Sequence, residues 1–395
     1  MSRKVAASLA GFVIVAGLAW YVSLHPMDFR VYYYGAQGVF DGSRPVYGTK
    51  SGMGWPMHYR YPPLFLFLAW PFTLLPLPGA AALWLILKCA ALALLALALW
   101  KRMGPATTRA AWLVPVLLAG PYVAEDLRYG NAQSFIFALT GASFLFLSAS
   151  PILAAAALAL AISIKVWPLF FVPFLAARRE WKVVAWTLAF TGMLLLLPAL
   201  YFGFNANLDL LAQWTRQEFS TQTGQAEIWF PSQSIRGVLM RYLTVVDYSL
   251  VPDSNYPLVH FAELSPGGVR LLWAGLAGLG YAALLVIAAR YRKTVFGLIE
   301  GLAFAALILL EPFSQKYALV VLLWPAIVAG RLAKGRARGL LYAAIAVAIV
   351  QPLINGSAAQ RLLQVLGLDF LATGLLAAFL IAAIFSSSSS RYSSG

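Results

Sequence analysis

Long apolar runs alternate with short clusters of charge, proline or glycine along almost the whole chain. The runs lie at 6–24, 79–100, 110–124, 131–148, 151–165, 166–177, 183–202, 268–289, 295–310, 316–330, 339–354 and 367–385. Apolar runs of this kind, bounded by charge, predict membrane-spanning helices. We therefore expect an all-α polytopic membrane protein with about twelve transmembrane helices.

Two connections, 25–78 and 203–266, are too long for simple turns and predict elaborated loops on the outer side. Within the first, the apolar segment 61–78 carries five prolines. If this segment spanned the membrane, Lys101, Arg102 and Arg109 would lie outside, against the positive-inside pattern. We therefore interpret 61–78 as a helix that lies in the outer membrane interface.

The neighbouring runs 151–165 and 166–177 predict a break at Lys165-Val166-Trp167-Pro168. Twelve helical residues reach only about 18 Å, whereas the hydrocarbon layer is about 30 Å thick. Non-helical backbone and a cation are tolerated at depth only where protein lines a cavity. The break is therefore a candidate site.

The segment 6–24 lacks a small-x-small cleavage pattern and is expected to be retained. The serine-rich end, 386–395, is expected to be a disordered tail. We predict a single transmembrane domain over 1–385, without a separate soluble domain.

Composition narrows the class of protein. The chain is 61% hydrophobic and only 11% charged, a balance that excludes a soluble globular protein. Its net charge of +15 follows from Lys and Arg in cytoplasmic loops and does not indicate a nucleic-acid partner. One cysteine excludes an intrachain disulfide, and His25, His58 and His260 lack metal-ligand spacing.

Charge also predicts the orientation. With a cytoplasmic N-terminus, the cytoplasmic loops hold fifteen basic residues: Arg3, Lys4, Lys101, Arg102, Arg109, Arg178, Arg179, Lys182, Arg290, Arg292, Lys293, Arg331, Lys334, Arg336 and Arg338. Of the 14 acidic residues, only Glu180 and Glu300 lie in or beside those loops. Both termini are therefore predicted to be cytoplasmic, and the site extracytoplasmic.

Asp28 is the first acidic residue on the outer side, where segment 6–24 leaves the membrane. A carboxylate in that place can act as general base toward an acceptor hydroxyl, particularly if burial raises its pKa. The alternative is a helix-end acid that is hydrated or paired with Arg30.

Aromatic residues and cations are mixed in the loop that follows Asp28: Tyr32-Tyr33-Tyr34, Arg44, Tyr47 and Trp55-Pro56-Met57-His58-Tyr59-Arg60-Tyr61. This composition suits a sugar ring stacked on an aromatic face with its phosphate held by a cation. It suits an aromatic belt at the membrane interface equally well.

Polar groups also lie at the outer ends of later helices. Asn131 and Gln133 are at a helix start, where capping is the alternative role. Lys165 is a cation near the membrane interior, which favours a functional role. Further candidates are Gln233, Ser234, Arg236, Glu311 and Lys316, of which Lys316 could instead be an interfacial anchor. All of them are predicted to face the same side.

Several of these motifs resemble glycosyltransferase family 87, a group with the GT-C-type helical fold. The resemblance rests on Asp28-Phe29-Arg30-Val31-Tyr32-Tyr33, Tyr59-Arg60-Tyr61-Pro62-Pro63-Leu64, Gly130-Asn131-Ala132-Gln133, Lys165-Val166-Trp167-Pro168 and Ser232-Gln233-Ser234-Ile235-Arg236-Gly237. The chain departs from the family pattern at Pro312-Phe313-Ser314-Gln315-Lys316-Tyr317, where relatives tend to carry Ser-Trp and a histidine.

The resemblance implies an inverting transferase in a bacterial plasma membrane that moves a sugar, mannose by default, from a polyprenyl-phosphate donor to a lipid or glycan acceptor. Asp28 matches the family's proposed catalytic aspartate. Lys165, Arg60, Lys316 and Arg236 would bind the donor phosphate. Sugar and acceptor contacts would come from Tyr32, Tyr33, His58, Tyr61, Asn131, Gln133, Gln233, Ser234 and Glu311. No cofactor is expected, although a divalent metal stays open.

A polytopic lipid or sugar transporter or flippase is the alternative, since about twelve spans are also typical of transporters. Transporters often contain related halves and broken helices at mid-membrane. This sequence has no evident repeat, and its polar groups cluster toward one face.

Overall fold

The computed structural model describes residues 3–48, 57–105, 108–222, 232–246, 248, 256–292, 294–333, 337–354 and 356–392. These residues form helices and connections, without a strand. Some sequence-predicted features lie outside the described residues: Trp55 and Pro56 of the aromatic loop, and Lys293, Lys334 and Arg336 of the cytoplasmic loops.

The α-helices of the first half are α1 (Arg3–Leu24), α2 (Met27–Phe40), α3 (Leu64–Ala69), α4 (Leu77–Arg102), α5 (Ala110–Tyr129), α6 (Gln133–Phe146), α7 (Pro151–Ile164), α8 (Phe171–Ala177) and α9 (Trp181–Leu196). Those of the second half are α10 (Ala199–Phe202), α11 (Phe204–Gln222), α12 (Ile235–Leu243), α13 (Pro266–Arg290), α14 (Leu298–Leu310), α15 (Leu323–Arg331), α16 (Arg338–Leu353), α17 (Ala358–Leu366) and α18 (Leu368–Tyr392). Short 3₁₀ helices cover Trp70–Leu74, Trp167–Phe170 and Lys316–Leu322.

Each of the twelve predicted runs contains helix, as expected for a polytopic membrane protein. In the part of the chain that the structure describes, five helical stretches are long and apolar enough to cross a membrane: Leu77–Arg102, Ala110–Tyr129, Trp181–Phe202, Pro266–Arg290 and Leu368–Ser387. Several other apolar helices are shorter. The number of twelve crossings therefore stays a prediction.

The described parts of the two long connections contain helices that the sequence did not predict. Connection 25–78 contains α2, and connection 203–266 contains α11 and α12. In α2, Phe29, Tyr32, Tyr33 and Ala36 are buried. Their i, i+3, i+4, i+7 spacing is that of one helix face, so apolar burial stabilises a helix even in a segment rich in tyrosine.

The proline-rich segment 61–78 is not one continuous helix. Helix α3 passes into the 3₁₀ helix Trp70–Leu74, and Leu77 already begins α4. Pro71 lacks the N–H that an α-helix would use at that position, which favours the change of helix type. The eleven residues Leu64–Leu74 are too short to cross a bilayer about 30 Å thick. Their position in the membrane interface stays a prediction.

The predicted break after α7 is confirmed. Ser150 caps the start of α7 by accepting a hydrogen bond from the Leu153 N–H, at 3.3 Å. Lys165 then takes an extended conformation, with φ −152° and ψ 138°, before the 3₁₀ helix Trp167–Phe170. The backbone therefore leaves helical geometry at the predicted lysine.

Helix α18 continues past the predicted end at residue 385 and includes serines up to Tyr392. Adding residues to an existing helix requires no new nucleation, so serine is accommodated at the end of a long apolar helix.

The chain divides into two compact units. The first contains residues 1–95, 125–169 and 185–220, and the second contains residues 96–124, 170–184 and 221–395. In the first unit, α2 packs on α3 and the 3₁₀ helix Trp70–Leu74, while α6 packs along α7. An aromatic cluster joins α2 to α4, with the Phe29 and Trp84 ring centroids 5.3 Å apart.

In the second unit, α14 is the central element and packs against α13, α15 and α18. Nearly all of its side chains are buried. At its N-terminal turn, Glu300 accepts a hydrogen bond from Arg178 in a buried ion pair. Pairing of these charges offsets the cost of removing each from water.

Candidate functional site

Asp28 lies in the first turn of α2, directly after the turn at Pro26, and is only 9% exposed. Its Oδ2 accepts a hydrogen bond from Asn131 Nδ2, at 2.8 Å. Burial raises the pKa of the Asp28 carboxyl, and this effect exceeds the lowering by the Asn131 bond and by the positive charges of Lys165 and Lys88. A buried carboxylate with a raised pKa is suited to accept a proton.

Asn131 contacts both the start of α6 and the Asp28 carboxyl, and so combines the helix-start role and the site role that the sequence left as alternatives. Its Oδ1 accepts the backbone N–H of Gln133, the first residue of α6, at 3.1 Å, although the N-cap residue itself is Ala132. Its Nδ2 meanwhile holds Asp28. Because the backbone contact fixes which end of the amide is the oxygen, Asn131 always presents a donor to the carboxylate.

Two tyrosine hydroxyls complete a chain of hydrogen bonds beside Asn131. The Tyr61 hydroxyl donates to Asn131 Oδ1 at 3.4 Å and lies 2.8 Å from the Tyr32 hydroxyl. The Ala132 backbone N–H donates to the Tyr32 oxygen at 3.3 Å. Burial raises the pKa of the Tyr61 phenol, so it stays protonated and can act as a donor.

Lys165 lies beside Tyr61 and Asp28 in the first unit. Its Nζ is 5.9 Å from the centroid of the Tyr61 ring, and its charge acts on the Asp28 carboxyl. Beyond it, the Trp167 indole N–H donates to Gln133 Oε1 at 3.1 Å. The first unit thus brings together six predicted site residues: Asp28, Tyr32, Tyr61, Asn131, Gln133 and Lys165.

Three other predicted residues of the first unit, Arg60, Tyr33 and His58, are not part of this hydrogen-bond network around Asp28. Arg60 forms a bidentate pair with Glu218 of α11, with both N–O distances 2.9 Å. The Tyr33 hydroxyl donates to the Leu75 carbonyl oxygen at 2.8 Å. His58 is exposed.

Sequence reasoning missed a buried ion pair. Lys88, in the middle of α4, and Asp126, near the end of α5, are both fully buried, and Lys88 Nζ is 3.0 Å from Asp126 Oδ2. The sequence does contain an indication of this pair, because Lys88 lies inside the apolar run 79–100. A lysine in such a run is rarely tolerated without a partner. The candidates predicted from the sequence included Lys165 as an internal cation but not Lys88.

The remaining candidates belong to the second unit: Gln233, Ser234, Arg236, Glu311 and Lys316. The Gln233 backbone N–H donates to the backbone carbonyl oxygen of Ser314, at 2.7 Å. The Gln233 side-chain amide donates to the backbone carbonyl oxygen of Gln364, at 3.1 Å. Ser234 caps α12 by accepting the Gly237 N–H, at 3.2 Å. These contacts fix the start of α12.

Charged candidates of the second unit are half or more buried. The Arg236 guanidinium lies over the Trp273 ring, 5.1 Å from its centroid. Glu311 accepts a hydrogen bond from the Ser314 hydroxyl at 2.6 Å. Lys316 begins the 3₁₀ helix Lys316–Leu322. Among the described residues, the side chains of His, Cys, Asp and Glu form no group of three that could hold a metal.

The model of glycosyltransferase family 87 matches residues 59–312, which is more than half of the chain. The chain therefore belongs to glycosyltransferase family 87. The match includes Tyr61, Asn131 and Lys165, whereas Asp28 and Lys316 lie outside its limits.

One relative is the polyprenol-phosphate-mannose-dependent alpha-(1-2)-phosphatidylinositol mannoside mannosyltransferase of Mycobacterium tuberculosis (strain ATCC 25618 / H37Rv). It is 28% identical over 265 residues, which are 60% of this chain and 59% of the relative. The chain thus spans about three fifths of the length of the curated relative that it matches.

Proposed function

We propose that this protein is an inverting membrane glycosyltransferase that moves mannose from a polyprenyl-phosphate donor to a lipid or glycan acceptor. Family membership supports the transferase class, and the relative's dependence on polyprenol-phosphate mannose supports the donor. The observation that carries the proposal is the buried Asp28 carboxyl, held by Asn131 within the field of Lys165.

In the proposed reaction Asp28 takes the proton of an acceptor hydroxyl. The acceptor oxygen then attacks the anomeric carbon and forms the new glycosidic bond. The bond from that carbon to the donor phosphate oxygen breaks, and the lipid phosphate leaves with the electron pair. One displacement at the anomeric carbon inverts its configuration.

The leaving phosphate gains negative charge, which a nearby cation stabilises. Lys165 is the proposed cation, because its charge already acts at the Asp28 carboxyl. Arg60, Arg236 and Lys316 remain proposed phosphate ligands. For Arg60, this role requires the guanidinium to use donors other than the two that bind Glu218.

The proposed arrangement in the membrane has twelve crossings, with both termini in the cytoplasm of a bacterium and the site on the outer face. The positive charges of the predicted cytoplasmic loops support this orientation. Tyr32, Tyr61 and Gln133 are proposed to contact the sugar or the acceptor, and Tyr33, His58, Asn131, Gln233, Ser234 and Glu311 are kept as further candidates.

Replacement of Asp28 by Asn tests the proposed function. We expect Asp28→Asn to lower kcat by about 10²- to 10⁴-fold, because the amide cannot accept the acceptor's proton. The measurement is transfer of labelled mannose from polyprenyl-phosphate mannose by purified protein in detergent, where transport cannot occur.

The matched control is Asp41→Asn, a second aspartate at the other end of α2 that is exposed. It should transfer mannose at the wild-type rate. Near-wild-type turnover by Asp28→Asn would remove Asp28 from the mechanism, and no transfer by the wild type with any polyprenyl-phosphate sugar would refute the proposed activity.

A further inference from the structure

Among the described residues of the first unit, Lys88 and Asp126 form the most deeply buried ion pair, with both side chains 0% exposed. Besides the contact to Oδ2, Lys88 Nζ donates to the backbone oxygen of Asp126, at 2.5 Å. The lysine thus holds both the side chain and the main chain of residue 126. The proposed mechanism assigns neither residue a step.

The pair is connected to the turn that carries Asn131. Asp126 Oδ2 accepts a hydrogen bond from the Ser134 hydroxyl. One helical turn before Lys88, the Trp84 indole N–H donates to the Gly130 oxygen, at 2.8 Å. Helix α4 therefore holds residues 126 and 130 directly, and Asp126 in turn holds Ser134, on the other side of Asn131.

The turn itself has little freedom to relax toward another geometry. Gly130 has φ +69°, in the left-handed region, and a Cβ at that position would lie 3.2 Å from the Phe29 Cβ. Phe29 is the neighbour of Asp28 in α2. The distance between the Asn131 amide and the Asp28 carboxyl is therefore set by how α4 holds residues 126–134.

The two charges also act on Asp28 with opposite sign. The positive charge of Lys88 lowers the pKa of Asp28, and the negative charge of Asp126 raises it. Other titratable groups that interact with this carboxyl are Lys165, Tyr61 and Tyr129.

We propose that Lys88 and Asp126 are positioning residues, which hold the Asn131 turn at hydrogen-bond distance from the Asp28 carboxyl. The kinetic consequence of this inference rests on the proposed function. The geometric part of the inference, that the pair fixes the turn at residues 126–134, is independent of the proposed function.

The test uses a variant that leaves no uncompensated buried charge, Lys88→Met with Asp126→Asn. We expect its kcat to fall about 100-fold at an unchanged KM for polyprenyl-phosphate mannose, because a shift of about 1 Å at a catalytic group costs that much. The matched control is Arg178→Met with Glu300→Gln, which neutralises the buried pair of the second unit. It should keep the wild-type kcat.

Hydrogen–deuterium exchange of the same proteins measures the turn directly. The Ala132 and Gln133 amides, which donate to Tyr32 and Asn131, should exchange faster in the Lys88/Asp126 variant and normally in the control. An unchanged kcat together with unchanged exchange would overturn the inference. If the wild type transfers no sugar, the proposed function fails, and exchange at these two amides alone decides whether the pair positions the turn.

The pH–rate profile of the same double variant gives a readout that general damage to the fold would not give. The hydrogen bond from Asn131 and the charge of Lys88 both lower the pKa of Asp28, and Lys88 acts on it more strongly than Asp126 does. Displacement of the Asn131 turn together with removal of both charges should therefore raise that pKa and move the acidic limb to higher pH. An unmoved limb would contradict the proposed positioning of Asn131.

Discussion

At the scale of single residues, Asn131 links the backbone to the proposed chemistry. Its amide oxygen accepts the first backbone N–H of α6, and its amide nitrogen donates to the Asp28 carboxylate. A helix-start asparagine could be read from the sequence, but its partner could not, because Asp28 lies 103 positions away and is reached only through the tertiary fold.

Asn131→Leu should therefore change the pH dependence of transfer. The hydrogen bond from Asn131 lowers the pKa of Asp28, so its loss leaves that pKa higher still. A general base must be deprotonated, so the acidic limb of kcat/KM should move to higher pH, with the largest loss of rate at low pH. A pH–rate profile of mannose transfer measures this, and an unmoved limb would show that Asp28 is not the titrating base.

Gly130 offers a second test at this scale, and Gly42 is its matched control. Both residues have positive φ, +69° and +70°, but a Cβ at Gly42 would meet nothing within 4 Å. Gly42→Ala should cost about 1–2 kcal/mol from backbone strain alone. Gly130→Ala should cost more, because the new methyl group also presses on Phe29. Thermal unfolding in detergent compares the two, and equal losses would contradict the close packing of Gly130 on α2.

At the scale of elements, apolar runs predicted almost every helix of the membrane part, and Lys165 predicted the break after α7. The helices of the two long connections were not predicted from the sequence, for different reasons. The buried face of α2 includes Tyr32 and Tyr33, and tyrosines also suit a binding loop. Helix α11 contains polar residues throughout and is defined by its contacts with the rest of the unit.

Those contacts are concentrated at residues 59 and 60. Gln217 of α11 donates to the Tyr59 oxygen at 2.6 Å and accepts the Gly48 N–H at 3.1 Å. The Trp214 indole N–H donates to the Arg60 oxygen at 3.2 Å. Helix α11 thus holds the non-helical stretch that leads into Tyr61.

Gln217→Ala should loosen this attachment. It removes two hydrogen bonds of about 1 kcal/mol each, so we expect a loss of about 1–3 kcal/mol in the free energy of unfolding and faster exchange of the residue 57–61 amides. Gln213→Ala, on the exposed side of the same helix, is the control and should change neither. Equal exchange in both variants would show that α11 does not fix this stretch.

At the scale of the whole molecule, the distribution of charge carries the proposed orientation in the membrane. Cysteine labelling tests it, because Cys89 is the one cysteine of the chain and a Cys89→Ser background is free of thiols. In that background, Ser43→Cys should react with an impermeant maleimide in intact cells. Thr108→Cys should react only after the membrane is permeabilised. Both positions are exposed, so the reverse pattern would invert the proposed topology.

The fixed amide of Asn131 has a consequence for what happens after a turnover. Its nitrogen can only donate, so a proton acquired by Asp28 has no exit through Asn131. The proton must therefore leave Asp28 from Oδ1, the carboxyl oxygen that does not accept the Asn131 hydrogen bond. The base would then be regenerated from the side on which the acceptor arrived, by water or by the departing phosphate, without a relay through the protein interior.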